Sequence, residues 1–248
     1  MYLQHGHANR AKMKFERAIE WREHDFRYHR MLGQMELVKG RLLSAETAVS
    51  RSLALHPNNA PALKLFGETL LKKGDLGSAE ESMKRLTQLR PLDVEGYRLL
   101  ALARRSNGRH DQAVEAWRQA LAFRPEDPSL IGSMGFEYAQ AGDLDKAKAV
   151  LLRAASLKPQ DGVVQGNLGG VYLGLGQYSD ARDALDRALQ LAPDNAPQWY
   201  ANLAQAELAD RNFEAAMKAI AFALALEPGY QKLIEMARVI RAKRAAFV

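Results

Sequence analysis

An all-α solenoid of helix–turn–helix repeats, closed by a C-terminal helix, is the fold class this sequence predicts, and three observations predict it. Pro57, Pro91, Pro125, Pro159 and Pro193 stand 34 residues apart, with Pro228 one residue late. Glycine recurs at the same interval at Gly40, Gly74, Gly108, Gly142 and Gly176. Two further columns on this ruler hold only small residues. A fixed period of this length marks a stacked repeat, and it accommodates two helices of about three to four turns with their connections.

The chain opens inside a unit. Extended backwards, the ruler puts Tyr2 at position 11, Gly6 at 15, Ala11 at 20, Phe15 at 24 and Ala18 at 27, so residues 1–25 read as a partial repeat, mainly its second helix. The apolar side formed by Met13, Phe15, Ile19 and Trp21 lacks the first helix that covers it elsewhere. Two expectations follow: a longer protein continues upstream, or this face docks on another molecule, because a terminal repeat otherwise needs a polar cap. Residues 1–25 show no signal peptide, so the chain as written is expected in the cytoplasm; removal of an upstream segment would admit a periplasmic or membrane-anchored location.

With the proline as position 32, six complete units cover 26–228, with approximate bounds 26–59, 60–93, 94–127, 128–161, 162–196 and 197–230. On the first helix of each, position 8 is Gly33, Gly67, Ala101, Gly135, Gly169 and Ala204, and position 7 supplies bulk with Leu32, Phe66, Leu100, Met134, Leu168 and Leu203. On the second, position 20 is Ala45, Ala79, Ala113, Ala147, Ala181 and Ala216, and position 24 is Val49, Met83, Trp117, Leu151, Leu185 and Ile220. A small residue on each helix at the crossing lets the backbones approach while larger neighbours interlock around the contact. The glycines at position 15 end the first helix where the turn needs positive φ, and Arg211 breaks that column. The closing proline cannot continue a helix, and with Asn58, Asp161 or Asp194 nearby it starts the next turn.

Residues 231–248 read as a capping helix. Leu233, Met236, Ala237 and Ile240 fall at i, i+3, i+4 and i+7, one apolar face that covers the sixth unit. Arg238, Arg241, Lys243 and Arg244 take its polar side, where a solvated basic last turn suits the helix dipole better than it suits a membrane or nucleic-acid patch.

These columns resemble the tetratricopeptide repeat, whose small residues at 8, 20 and 27, aromatic near 11, glycine at 15 and proline at 32 are matched across 26–228. Tyr138 and Tyr172 fill the aromatic position, and Ala120, Ala154, Ala188 and Ala223 fill position 27. Ser52 and Leu86 at 27, Glu36 and Arg104 at 11, and one extra residue before the sixth unit depart from the pattern and are expected to weaken individual units. The resemblance implies a right-handed α-solenoid whose first helices line a concave groove with positions 2, 5, 6, 9, 12 and 13.

In the first three units those positions include Arg27, Arg30, Gln34, Lys64, Glu68, Lys72, Glu95, Arg98 and Arg105, a mainly cationic wall that suits an acidic segment or a terminal carboxylate. Ordinary solvated charges explain the same residues equally well. Units four to six offer Ser133, Phe136, Gln140, Asn167, Asn202 and Gln205, with Gly132, Gly166 and Gly170. Asn167 and Asn202 share position 6 and can bond a peptide backbone whatever its side chains. The glycines leave room for a bulky ligand side chain or relax packing, and Phe136 fits the core better than a ligand contact. Relatives that clamp the acidic tails of heat-shock chaperones carry Lys at 5 and Asn at 9, then Asn at 6, then Lys at 2 and Arg at 6. Arg30, Gln34, Leu65, Glu95 and Leu99 depart from that pattern, which argues against that role.

Composition narrows the function classes. The net charge is +6, with 22 Lys/Arg against 14 Asp/Glu in residues 1–125 and 6 against 9 in 126–193. These charges mostly alternate in sign at helical spacing, without a stripe of stacking aromatics, so nucleic acid is not the expected partner. Zero cysteines exclude disulfides and thiolate chemistry, and no apolar run approaches the roughly 20 residues of a membrane span. His5, His7, His24 and His29 lack metal-enzyme spacing, and Gly174 and Gly176 fall where a turn is due rather than after a strand. The reading is a non-enzymatic scaffold without cofactors that binds an extended peptide or helix of a protein partner in its groove; a bacterial-type assembly, secretion or envelope complex is one setting for it. The alternatives are a substrate-recognition arm of a larger enzyme, such as a glycosyltransferase or protease, and a scaffold that self-associates through the N-terminal half repeat.

Overall fold

A computed structural model describes residues 13–15, 17, 24–193 and 196–246. From Phe26 onward the described residues hold thirteen helices: α1 Phe26–Val38, α2 Leu42–Leu55, α3 Ala60–Lys73, α4 Leu76–Leu89, α5 Val94–Ser106, α6 His110–Phe123, α7 Pro128–Gln140, α8 Leu144–Leu157, α9 Gly162–Gly174, α10 Tyr178–Leu191, α11 Ala196–Ala209, α12 Phe213–Leu226 and α13 Gln231–Ala245. They pack as sequential pairs, α1 with α2 through α11 with α12, and α13 lies against α12. Most of the partial repeat expected over 1–25 lies outside the described residues; residues 13–15 and 17 are helical.

Two compact units divide the chain, residues 1–124 and 125–248. Within the first, α2 packs on α3 and α4 on α5, and the first helices of successive pairs also touch, α1 to α3 and α3 to α5. Within the second, α8 packs on α9 and α10 on α11, and α9 touches both α7 and α11.

Local chemistry sets the helix ends. Asp25, Asn59, Asp93, Asp127 and Asp161 cap α1, α3, α5, α7 and α9, each accepting from a backbone N–H two or three residues on. Between the helices of a pair the chain turns through Gly40, Gly74, Gly108, Gly142 and Gly176 at φ between +69° and +88°. Arg211 occupies the sixth such turn at φ +61°, so the turn keeps its conformation where the sequence departs from glycine.

The two small columns do different jobs. All six position 20 alanines are fully buried at the helix contact. Position 8 instead makes room for position 24: a Cβ on Gly135 would stand 2.6 Å from Leu151 Cγ, and one on Gly169 would stand 2.5 Å from Leu185 Cγ. The departures from the pattern have partners of their own. Ser52 Oγ donates to the Phe26 carbonyl at 2.8 Å, Leu86 is buried, and the Arg104 guanidinium reaches Glu80. Glu36 is buried beside Arg41, 3.5 Å away. At the C-terminal end, Leu233, Ala237 and Ile240 of α13 join Ala216 and Ile220 of α12 in one apolar cluster, with Met236 packed on its margin.

Polar ties join neighbouring repeats through position 21. Glu46 accepts from Lys73 Nζ at 2.7 Å, and Glu80 accepts from Asn107 at 3.3 Å and from Arg109 at 2.9 Å. In the second unit the signs reverse: Lys148 donates to Gln177 at 2.8 Å and Arg182 donates to Asp210. A second tie runs from position 26 to the carbonyl of the preceding closing proline, Arg85 to Pro57 at 3.0 Å and Arg153 to Pro125 at 2.7 Å.

Candidate peptide-binding face

In the first unit, contact between α1, α3 and α5 places the predicted cations on neighbouring helices. Lys64 and Glu68 sit on α3, and Glu95, Arg98 and Arg105 on α5. Arg98 grips Glu95 as a fork, Nε to Oε2 and Nη2 to Oε1 both at 2.7 Å, and Lys64 Nζ approaches the same carboxylate at 3.6 Å. Hydrogen bonding from Arg98 holds the Glu95 carboxyl below the usual carboxylate range, Lys64 adds to this, and partial burial opposes it. Glu68 contributes its field at Arg98.

The wall is therefore less cationic than a count of its residues suggests. Arg27 folds back on its own helix cap, Nη2 donating to Asp25 Oδ2 at 2.7 Å. Arg30 is half-buried and has no acidic partner among the described residues, and Gln34 is exposed. Arg105 is half-buried and already engaged in an interaction of its own. The cations of this face that are placed nearest one another, Lys64 and Arg98, thus already share the Glu95 carboxylate, which the Arg98 guanidinium meets in planar bidentate geometry.

In the second unit, Ser133 and Phe136 lie half-buried on α7, Asn167 on α9, and Asn202 and Gln205 on α11. Asn202 Oδ1 accepts from Gln198 Nε2 at 3.1 Å, so one rung of the expected amide ladder is used within its own helix. The room expected at Gly132 and Gly166 is filled by the protein itself. The Trp199 indole of α11 occupies the space beside Gly166, a Cβ on Gly132 would stand 3.0 Å from Val164 Cγ2, and one on Gly170 would stand 3.6 Å from Asn202 Nδ2. Trp199 is 6% exposed, so Gly166, like Gly132, serves packing between repeats, whereas at Gly170 a Cβ would make only ordinary contact. Its counterpart in the sequence was the run of glycines, which shows that space exists without showing what takes it.

His5 and His7 lie outside the described residues, and among the described residues no three His, Asp or Glu side chains could hold a metal ion. Nor, among those residues, is any helix long and apolar enough to cross a membrane.

Comparison with known proteins settles the family. Models of the tetratricopeptide repeat match residues 2–60 and 65–128 and residues 138–206. The chain belongs to the tetratricopeptide repeat family. Tetratricopeptide repeats in general bind other proteins, and no catalytic domain is recognised beside them here. No protein of curated function matches the chain. Among solved structures it is similar to a tetratricopeptide repeat protein of Parabacteroides merdae, with 15% identity over 95% of this chain and 93% of that one and a TM-score of 0.74. It is also similar to the protein TTC0263 of Thermus thermophilus, with 28% identity over 74% of this chain and 99% of that one and a TM-score of 0.54. The Cut9–Hcn1 complex of the APC/C contains a chain with 20% identity and a TM-score of 0.72; 95% of this protein aligns, yet it spans only 46% of that chain.

Proposed function

We propose that this protein is a non-enzymatic scaffold that binds an extended peptide or helix of a protein partner on the face formed by its first helices, and that α1, α3 and α5 take an acidic stretch of that partner. The observation that carries this reading is the half-exposed Lys64–Glu95–Arg98 network, which spans two adjacent first helices. Surface ion pairs of this exposure add little to stability, so exchanging Glu95 for a ligand carboxylate costs the fold little. Arg30 on α1, without an acidic partner among the described residues, extends the same face. Further along the chain, the Asn167 amide and the Nδ2 donor of Asn202, whose Oδ1 is taken by Gln198, suit a peptide backbone.

The test is fluorescence anisotropy of a labelled Asp/Glu-rich peptide against the wild type and the triple variant Arg30→Glu, Lys64→Glu, Arg98→Glu. Reversing three charges should weaken binding by about a hundredfold or more and remove most of its salt dependence. An unchanged affinity would place the acidic ligand elsewhere.

A further inference from the structure

The sixth repeat departs from the others along its second helix. Position 26 is Arg51, Arg85, Gln119, Arg153 and Arg187 in the first five repeats and Phe222 in the sixth. Arg85 and Arg153 reach back to the carbonyl of the preceding closing proline, whereas α12 has no guanidinium at this position to reach Pro193. Phe222 instead stacks on Tyr200 of α11, with ring centroids 5.4 Å apart and planes 24° from parallel. Beside this pair a cavity of about 460 Å3 opens between α10 and α12, walled by Leu189 of α10, Tyr200 and Leu203 of α11 and Phe222 of α12. Its size is within the range of sites that enclose a side chain or a small ligand. By helical spacing, Tyr200, Leu203 and Glu207 stand on the side of α11 opposite Asn202 and Gln205, so this cavity is separate from the first-helix face.

The charges of the lining select the occupant. Asp186 of α10 is part of the wall, and among the described residues no hydrogen bond or ion pair reaches its carboxylate. Loss of water at the wall and the charge of Asp183 hold that carboxyl above its ordinary value, against the opposing field of Arg182. Arg182 is taken by Asp210 and stands 4.0 Å from Glu207, the second acid of the lining, which also accepts from Asn212 at 3.0 Å. Lys218 of α12, the one cation among the described lining residues, is exposed and pairs with neither acid. Asp186 is thus left unanswered near two aromatic rings, of which Phe222 is 47% exposed. A guanidinium suits both: its plane stacks on a ring, its fork matches a carboxylate, and its aliphatic stem lies along apolar walls. Beyond the cavity the outward positions of α12 remain apolar, with Ala221, Ala225 and Leu226 all exposed.

We propose that this cavity docks a partner protein through an arginine followed by apolar residues. The guanidinium stacks on Phe222 and pairs with Asp186, its stem covers Leu189 and Leu203, and the apolar residues that follow lie along Ala225 and Leu226. The site is independent of the acidic ligand assigned to α1, α3 and α5.

The experiment titrates three probes separately into the isotope-labelled full chain: the acetylated amide of Gly-Arg-Leu-Leu-Gly, the same peptide with citrulline for arginine, and N-acetyl-arginine amide. The Tyr200 ring and Ala219 methyl resonances are followed. The arginine peptide should give saturable shifts, and the uncharged citrulline peptide and the single amino acid should each bind at least about tenfold more weakly. Asp186→Asn should weaken the arginine peptide about tenfold, and Lys218→Ala, which removes a like charge, should tighten it about twofold. Phe222→Arg supplies the residue of the other repeats and should abolish the shifts. All three substitutions fall on exposed residues and should leave the unfolding midpoint unchanged. The variant with Arg30, Lys64 and Arg98 all changed to Glu should bind this peptide as the wild type does. Absence of saturation, equal binding of the citrulline peptide, or undiminished binding by Asp186→Asn or Phe222→Arg would overturn the site. N-acetyl-arginine amide binding as tightly as the peptide would overturn the assignment to a partner protein, and shifts of the same resonances on dilution of the protein alone would give the cavity to a second copy instead.

Discussion

Arg211 shows what a single residue contributes to a repeat turn and what it costs. Its φ of +61° matches the conformation of the five glycines at the equivalent turns, and a side chain with a Cβ holds that conformation under strain of about 1 kcal/mol or more. Arg211→Gly should relieve that strain, partly offset by greater freedom of the unfolded chain, and raise the unfolding free energy by about 0.5–1 kcal/mol. Urea denaturation at neutral pH measures this; a lower stability would mean that the contacts of the Arg211 side chain outweigh its backbone strain. The turn itself was legible in the sequence from its place on the ruler, even without its glycine, because the neighbouring columns fix where the first helix must stop. Trp199 was not legible in the same way. Its burial beside Gly166 depends on two repeats being brought together, and the glycine records only that something large approaches.

Between helices, Glu80 is the residue on which the most depends. Its carboxylate is almost wholly buried, yet Lys84 at 3.1 Å, Arg104 at 3.4 Å and Arg109 at 2.9 Å converge on it from α4, α5 and the turn after α5. Burial is the largest single influence and pushes its pKa up; the combined hydrogen bonds and charges of Lys84, Asn107 and Arg104 outweigh it and leave the carboxyl below its ordinary value. A folded pKa below the unfolded one means stability that is complete above the unfolded value and is lost as pH falls through the folded one. Glu80→Gln should therefore cost about 2 kcal/mol near neutral pH and flatten the acid limb of the stability curve. Chemical denaturation at about pH 7 and about pH 3 separates these; an acid limb as steep as the wild type's would show that the carboxylate is not what couples α4 to α5. This tie was not read from the sequence, although its signal was present. Position 21 carries Glu46 and Glu80 in one half and Lys148 and Arg182 in the other, and each meets a polar partner 27–29 residues on. Periodicity finds residues that repeat in kind, whereas this column repeats in position and changes sign.

At the scale of the whole molecule, the regularities that reveal the repeats are the ones that build them. Small residues, turn glycines and closing prolines recur because every pair of helices must pack on its neighbour in the same way. Residues that choose a partner are under no such demand, and their arrangement had to come from the structure. Lys64 and Glu68 lie on α3 and Arg98 on the neighbouring α5, but residue counting alone overstated the charge available, since Arg27 turns to Asp25 and Arg98 to Glu95. Binding by an array of this kind should follow the first helices through this network. The most direct test is to map a labelled Asp/Glu-rich peptide on the isotope-labelled protein by NMR. Perturbations are predicted at Arg30, Lys64, Glu68, Glu95 and Arg98, with release of the Arg98–Glu95 pair; perturbations confined to the second helices α2, α4 and α6 would contradict the assignment of this face.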